Sequence, residues 1–249
     1  MATRARLDTE MTRRGLADSR EGAQRLIMAG RVRVDSRPAA KPDLRVTAAS
    51  EITVLPGTRE YASRGAHKLI AALDGFGIEV AGRSALDVGA SNGGFSDILL
   101  RRGVQRLIAL DVGYGQLAPR LRADPRVTVL DRTNIRLVRA EDLPYRPDLV
   151  VIDVSFISLQ LVLPVVIEIA ATPADIVALV KPQFEAGRAL VGKGGVIRLD
   201  SVRYATLEKI LAFAKEIGLD VAGSIESPIA GASGNREFLA WFRKSLDLC

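Results

Sequence analysis

The feature that most constrains the fold is a glycine-rich turn, Asp87-Val88-Gly89-Ala90-Ser91-Asn92-Gly93-Gly94-Phe95. The apolar pair Ala85-Leu86 precedes this turn, and a helical pattern over residues 96–100 follows it. A strand, a tight turn and a helix in this order predict a βα unit whose backbone N–H groups approach a nucleotide-like ligand. The alternative is a turn with a purely structural role.

The spacing of the glycines narrows the class of ligand. A dinucleotide-binding turn has the pattern G-x-G-x-x-G, whereas these glycines follow G-x-x-x-G-G. An acidic residue at the end of the strand, followed by this wider turn, suits a ligand that carries an amino-acid group and no pyrophosphate. We therefore expect S-adenosylmethionine as the cofactor, bound by Asp87, Gly89, Ala90, Ser91, Gly93, Gly94 and Phe95.

Composition excludes several other classes of protein. The only cysteine is Cys249 and the only histidine is His67, so neither a disulfide framework nor a Cys/His metal cluster is expected, and we expect no metal requirement. The charged N-terminus does not resemble a secretory signal. The apolar region 159–180 is interrupted by Pro164 and Pro173, which argues against a membrane span and favours a cytoplasmic protein without a membrane partner.

Charge and pattern divide the chain into two parts. The first 60 residues carry 12 basic and 8 acidic side chains, and much of the net charge of +6 lies there. Helical patterns over residues 4–14 and 19–30, followed by short strands near Val32, Val46 and Ile52, predict a small α+β domain. We expect this domain over residues 1–57, a linker over 58–63 and a second domain over 64–249.

The second domain is expected to be α/β. Strand patterns near residues 85–89, 106–111, 127–131, 149–153 and 175–180 alternate with helical patterns, which predicts a mostly parallel sheet. A long helix near 201–217 and strands near 221–227 and 238–242 would complete it. The pattern therefore favours a Rossmann-like fold with a mostly parallel, seven-stranded sheet.

Aspartates follow three of the predicted strands, namely Asp87, Asp111 and Asp131. Ligands of open α/β sheets bind beyond the carboxyl ends of the strands, so these side chains are candidate cofactor ligands. Asp111, at the end of the second strand, is placed to accept hydrogen bonds from ribose hydroxyls. Most aspartates at strand ends only cap turns, and that remains the alternative.

Two further strand ends carry candidate catalytic residues. The fourth strand ends in Asp153-Val154-Ser155-Phe156-Ile157-Ser158, which differs from the Asn/Asp-Pro-Pro-Tyr sequence of amino-group methyltransferases. Methylation at cytosine C5 needs a cysteine nucleophile, and Cys249 is poorly placed to serve as one. Transfer to an oxygen or to a ring nitrogen remains, and Lys181 at the end of the fifth strand is a candidate for handling the proton of a hydroxyl.

The N-terminal part contains a series of short motifs: Arg6-Leu7-Asp8, then residues 13–20 and 23–27, and then Gly30-Arg31-Val32-Arg33-Val34-Asp35. In these motifs it resembles the RNA-binding domain of ribosomal protein S4. The resemblance implies an RNA partner, which grouped arginines suit because they neutralise phosphates. The candidate RNA-binding residues are Arg4, Arg6, Arg14, Arg20, Arg25, Arg31 and Arg33.

Six motifs along the chain carry a second resemblance: Ser63-Arg64-Gly65-Ala66-His67-Lys68-Leu69, the glycine turn, and residues 111–117, 153–158, 181–185 and 234–238. With these motifs the whole chain resembles the TlyA family, also called haemolysin A, which implies a Rossmann-like methyltransferase fold. The family's members are rRNA 2′-O-methyltransferases with an FtsJ-like catalytic domain. The resemblance implies a catalytic tetrad of Lys68, Asp153, Lys181 and Glu237, with Lys181 acting on the 2′-hydroxyl.

The resemblance further implies that S-adenosylmethionine methylates cytidine in ribosomal RNA of the small or large subunit, leaving S-adenosylhomocysteine. Two alternatives are a membrane-active haemolysin and a catalytically inactive RNA-binding protein. A nicotinamide dehydrogenase is a weaker alternative because of the glycine spacing. The oligomeric state stays open.

Overall fold

The structure is a computed structural model that describes residues 4–17, 19–28, 30–39, 41–55, 61–187, 190–192, 194–231 and 234–245. The chain divides into two compact units between Glu60 and Tyr61. Residues 58–60 of the expected linker lie outside the described part of the chain.

The N-terminal unit packs two helices against short strands. Its elements in chain order are β1 (Ala5–Arg6), α1 (Leu7–Arg13), α2 (Arg20–Met28), β2 (Val32–Val34), β3 (Arg37–Pro38), β4 (Arg45–Val46) and β5 (Ile52–Val54). Strand β2 pairs antiparallel with β3 and β5, and β1 pairs antiparallel with β4. The helix expected from Arg4 begins only at Leu7, because Ala5 and Arg6 pair with Val46 and Arg45.

A small apolar core holds this unit together. Leu7 and Met11, one helical turn apart, are fully buried and face Ile27 of α2 and Val32 of β2. The i, i+4 spacing places both α1 side chains on one face of the helix, as the sequence pattern predicts.

The second unit contains the remaining helices and strands. They are α3 (Ala66–Phe76), β6 (Ser84–Val88), α4 (Gly94–Arg101), β7 (Arg106–Leu110), α5 (Pro119–Arg122), β8 (Val127–Leu130), β9 (Leu149–Ile152), α6 (Leu159–Ile169), β10 (Ala174–Val180), α7 (Pro182–Glu185), α8 (Asp200–Glu216), β11 (Asp220–Glu226) and β12 (Phe238–Lys244). Two 3₁₀ turns, Ile135–Leu137 and Ala140–Asp142, lie between β8 and β9.

Seven strands form one sheet in the order β11-β12-β10-β9-β6-β7-β8. Strands β8, β7, β6, β9 and β10 run parallel, whereas β12 lies antiparallel between β10 and β11. This arrangement confirms the predicted Rossmann-like methyltransferase fold. Because β12 is antiparallel, its first residue lies beside the last residue of β10: Phe238 pairs with Val180.

Apolar layers cover both faces of the sheet. One layer packs α6 and α8 against alternate residues of the strands, and the other packs α3 and α4 against the opposite face. The central strands β6 and β9 are buried along their whole length, as expected for parallel strands covered on both sides. In the described part of the chain, no helix is long and apolar enough to cross a membrane.

Candidate active site

The glycine turn leaves β6 and leads into α4. Gly89 has φ +87°, and a Cβ there would lie 2.5 Å from the backbone oxygen of Asp153 on the neighbouring strand. Gly93, at the N-cap of α4, has φ +92°. Only glycine combines these left-handed conformations with so close an approach to another backbone. The turn therefore places a surface of backbone atoms beside the end of β9.

Asp111 follows β7 and supports the turn. Its carboxylate accepts hydrogen bonds from the backbone N–H of Ser91 at 2.8 Å and of Gly113 at 2.7 Å. Asp131, after β8, instead binds Arg122 at 2.7 Å and the N–H of Gly115 at 3.2 Å. Asp131 does not line either of the cavities described below, whereas Asp111 lines one of them.

Asp87 is the most deeply buried of the predicted cofactor ligands. The side chain is 0% exposed; one oxygen accepts a hydrogen bond from Ser96 Oγ at 2.7 Å, and the other oxygen has no partner. Burial raises the pKa of Asp87 to about 7, and the nearby charge of Asp153 acts in the same direction. The fold thus holds a carboxyl group beneath the turn that titrates near neutral pH.

Two adjoining cavities open at this edge of the sheet. The first, which we call the lysine cavity, has a volume of about 500 Å³ and is lined by Lys68, Lys181 and Glu237 among others. The second, the aspartate cavity, has a volume of about 680 Å³ and is lined by Asp111 and residues 133–136. Both cavities are bordered by Gly89, Ser91, Asp153, Ser155 and Phe156. A ligand spanning both would pass over the glycine turn.

Two lysine–carboxylate pairs lie in the lysine cavity. Lys68 Nζ on α3 lies 2.5 Å from Glu237 Oε2, and Lys181 Nζ after β10 lies 2.6 Å from Asp153 Oδ1. The four groups predicted as a tetrad are thus brought together as two ion pairs, although Lys68 and Glu237 are 169 positions apart. The antiparallel β12 explains this arrangement, because it starts at the edge where β10 ends.

The sequence did not single out several neighbours of these pairs. Lys181 donates a second hydrogen bond to Ser155 Oγ at 2.9 Å, and Gln183 Nε2 donates to Glu237 Oε1 at 3.2 Å. Gly231 leaves room for the Glu237 carboxylate, since a Cβ there would lie 2.4 Å from Oε1. A glycine or an amide whose role is to contact a catalytic side chain has no distinctive sequence pattern, so a single sequence does not reveal it.

Phe156 is exposed at the rim shared by the cavities. Phe156 is 91% exposed, its φ is +63°, and its ring packs against Phe184 at a tilt of 48° with centroids 5.0 Å apart. A phenylalanine in the left-handed region is strained, and such strain is concentrated at functional sites. An exposed aromatic ring at the mouth of a cavity provides a flat apolar surface for a planar ligand.

The predicted RNA-binding arginines differ in their surroundings. Arg4 and Arg33 are exposed, whereas Arg6 and Arg20 reach solvent but bind Asp8. Arg14 binds Glu10 and the backbone oxygens of residues 47, 48 and 50, so its hydrogen-bonding capacity is used within the unit. Arg31 donates to the Leu55 oxygen. The side chain of Arg25 lies outside the described structure; further exposed basic residues are Arg37, Lys41 and Arg45.

No group of three or more His, Cys, Asp or Glu side chains that could hold a metal ion occurs among the residues that the structure describes.

Two family models match the chain. Residues 61–244 match the FtsJ-like methyltransferase model and residues 5–52 match the S4 domain model. Over 99% of its length the chain is 51% identical to the 16S/23S rRNA (cytidine-2′-O)-methyltransferase TlyA of Mycobacterium tuberculosis, of which it covers 92%. The chain belongs to the TlyA family of FtsJ-like methyltransferases.

Other relatives within the family bear a different name. Hemolysin A of Brachyspira hyodysenteriae is 38% identical over 95% of this chain and 99% of its own length. A solved structure of a protein described as a hemolysin, from Streptococcus thermophilus, superposes with a TM-score of 0.77 at 39% identity. That match covers 98% of this chain and 90% of the other. The similarity to these two relatives therefore extends over nearly the whole length of the chain.

Proposed function

We propose that the protein transfers a methyl group from S-adenosylmethionine to the 2′-hydroxyl of cytidine in ribosomal RNA. The observation that carries this proposal is the pairing of Lys68 with Glu237 and of Lys181 with Asp153 in one cavity beside the glycine turn. The relative that is 51% identical and named for this reaction supports it. A ribosomal substrate would place the reaction in the cytoplasm, on the small subunit, the large subunit or both.

The residues around the turn fit S-adenosylmethionine. The backbone of Gly89, Ala90 and Ser91 would lie under the ligand, and Asp111 borders the aspartate cavity where ribose hydroxyls need an acceptor. The other predicted cofactor-binding residues would either contact the ligand or keep the turn in its conformation. They are Asp87, Gly93, Gly94 and Phe95. When bound, the cofactor supplies a methyl group on a positively charged sulfur.

Lys181 is the group that we assign to the substrate hydroxyl. A ribose hydroxyl is a poor acid, so its oxygen attacks only if a neighbouring base takes the proton. Lys181 Nζ is the basic group placed to take that proton, and Asp153 at 2.6 Å stabilises the ammonium that holds it. Ser155 accepts a hydrogen bond from the same nitrogen and fixes its direction. Lys68 and Glu237 form the opposite wall of the cavity.

The N-terminal unit supports an RNA substrate. The formal charges of the two ion pairs cancel, so attraction of the phosphate backbone needs charges elsewhere, and the exposed arginines Arg4 and Arg33 supply them. The exposed ring of Phe156 at the mouth of the cavities suits stacking of a base that has left its helix.

The deciding experiment is transfer of a labelled methyl group from S-adenosylmethionine to unmodified ribosomal subunits, followed by nucleoside mass spectrometry. The expected product is 2′-O-methylcytidine, absent when Lys181→Ala is used. Label on a base would retain a methyltransferase but overturn the role assigned to the two pairs. Absence of label, with subunits and cofactor still bound, would favour the inactive RNA-binding alternative; leakage of liposomes would favour the haemolysin.

The contribution of the N-terminal arginines has its own test. Arg33→Ala should weaken binding to ribosomal RNA a few-fold and reduce the slope of log affinity against log salt by about one, because one phosphate contact is lost. Arg102→Ala is the matched control, since that guanidinium pairs with Asp74 on the other unit. An unchanged salt slope in Arg33→Ala would remove this residue from the RNA-binding surface.

A further inference from the structure

Glu185 is a buried carboxyl group near the proposed reaction that the assigned roles do not use. Glu185 is 5% exposed to solvent. One carboxylate oxygen accepts from Ser158 Oγ at 2.5 Å and the other accepts from the backbone N–H of Leu159 at 2.7 Å. Ser158 is the N-cap of α6, where its Oγ also accepts from Gln160 N–H at 3.1 Å. Glu185 therefore fixes the point at which α6 begins.

The position of Glu185 connects two segments of the site. The first segment is Lys181 with the four-residue helix α7, which ends at Glu185. The second is the loop of residues 153–158, which connects β9 to α6 and carries Asp153, Ser155 and Phe156. A single helical turn and an irregular loop have little stability of their own, so side-chain contacts must hold their relative position.

Three sets of contacts join these segments along their length. Lys181 contacts Asp153 and Ser155 at one end, and the tilted rings of Phe184 and Phe156 pack against each other in the middle. At the far end, the Glu185 carboxylate accepts hydrogen bonds from the Ser158 hydroxyl and the Leu159 N–H. Because Phe156 has φ +63°, the loop is strained at its centre and needs support on both sides.

We propose that Glu185 is a positioning residue for methyl transfer, which holds the 153–158 loop so that Ser155 meets Lys181. This inference rests on the proposed function, because it concerns the direction of the lysine that acts on the hydroxyl. Without the carboxylate, Ser158 and the Leu159 N–H lose their acceptor inside the protein, and the loop rearranges to satisfy them. Burial raises the pKa of Glu185, while the hydrogen bonds from Ser158 and the Leu159 N–H and the charge of Lys209 act in the opposite direction.

The test compares Glu185→Ala and Glu185→Gln with the control Glu208→Ala, which alters an exposed glutamate on α8. We expect kcat for methyl transfer to fall about 100-fold in Glu185→Ala, since a displacement near 1 Å of a reacting group has an effect of that size. The Kd for S-adenosylmethionine should stay within about twofold of the wild type, as should the control's kcat. Glu185→Gln keeps an acceptor for the Leu159 N–H and should retain most of the activity.

Two further measurements separate positioning from general stability. Amide hydrogen exchange over residues 154–160 should accelerate in Glu185→Ala, with no change in the strands of the sheet. In a double-mutant cycle, Ser158→Ala should reduce kcat less than Glu185→Ala and should have little further effect when combined with it.

Each outcome has a distinct meaning. An active Glu185→Ala would overturn this inference alone, and so would a loss of activity matched by loss of cofactor binding and faster exchange throughout the unit. A wild-type protein that transfers no methyl group to ribosomal RNA would overturn the proposed function and this inference with it.

Discussion

The N-terminal unit and the candidate active site pair their buried carboxylates with different partners. In the N-terminal unit, fully buried Asp8 accepts from Arg6 and Arg20, and nearly buried Glu10 accepts from Arg13 and Arg14. The hydrogen bond from Arg6 holds the pKa of Asp8 well below its usual range, and that from Arg13 holds the pKa of Glu10 at about 2. These carboxylates are charged at every physiological pH.

In the candidate active site the cations that pair with Asp153 and Glu237 are lysines, and buried Asp87 forms no ion pair. Lysines contact Asp153 and Glu237, while Asp87 has only Ser96 as a side-chain partner and a pKa of about 7. Arginine stays protonated and binds carboxylates with a rigid fork, whereas lysine can lose its proton. The buried carboxylates of the N-terminal unit are therefore held by cations that stay charged, whereas the candidate active site pairs its carboxylates with lysines and buries Asp87 without an arginine partner.

The largest effect expected from this comparison is on Lys181→Arg. The guanidinium keeps the positive charge beside Asp153 but cannot accept a proton from a hydroxyl, so methyl transfer should fall by about 10³-fold. The measurement is single-turnover methyl transfer to ribosomal subunits, with the exposed Lys215→Arg as the matched control. A rate close to the wild type would mean that Lys181 acts as a fixed charge, and the contrast between the units would fail.

A smaller effect is expected for Asp8→Asn. An amide donor would then face the guanidinium of Arg6, and we expect the N-terminal unit to lose about 2–3 kcal/mol of stability. Amide hydrogen exchange in α1 and β2 reports this loss, whereas fluorescence of Trp241, the single tryptophan, reports the other unit and should not change. Glu51→Gln, an exposed change in the same unit, is the control.

The loss of stability of the N-terminal unit at acid pH gives a second test of the role of Asp8. Because the folded pKa of Asp8 lies below its ordinary value, its stabilising contribution is present above about pH 4 and is lost as the pH falls further. In Asp8→Asn this part of the acid dependence should disappear. An equal loss of protection on acidification in the variant and the wild type would assign the acid sensitivity to other groups.

The smallest effect is expected for Asp87, and it has the opposite sign. Its folded pKa is raised, so the stability linked to its proton is present at low pH and is lost as the pH rises through about 7. Between pH 6 and 8.5 the wild type should lose about 1 kcal/mol that Asp87→Asn does not lose. Denaturant unfolding followed by Trp241 fluorescence measures this difference.

Glu79→Gln, an exposed change in the same unit, is the control and should follow the wild type. A pH dependence that is equally steep in Asp87→Asn would show that another group titrates there.

The fold and most of the candidate site follow from local patterns in the sequence. Alternating strand and helix patterns and the glycine turn predicted the parallel sheet and the place of Asp87 and Asp111, because residues that end parallel strands share an edge. The resemblance of short motifs pointed to Lys68, Asp153, Lys181 and Glu237. Exposure of Phe156 contradicts what its apolar character alone suggests, since aromatic residues usually serve a core.

Single-sequence reasoning does not separate arginines by role. Arg14 and Arg33 both belong to the basic N-terminal segment. Arg14 binds Glu10 and three backbone oxygens, whereas Arg33 is exposed. The difference depends on how residues 47–50 fold back onto α1, a contact between segments more than 30 positions apart. No pattern within either segment encodes it.

The sequence by itself determined the elements of this protein, since strand and helix periodicity, glycine turns and charge are local properties of the chain. Only the tertiary structure decided how four titratable groups form two pairs, with Lys68 on Glu237 and Lys181 on Asp153. The physical reason is the antiparallel pairing of β12 with β10, which brings Glu237 to the edge where Lys181 lies. The same long-range packing buries Asp87 without an ion pair and places Glu185 against the start of α6.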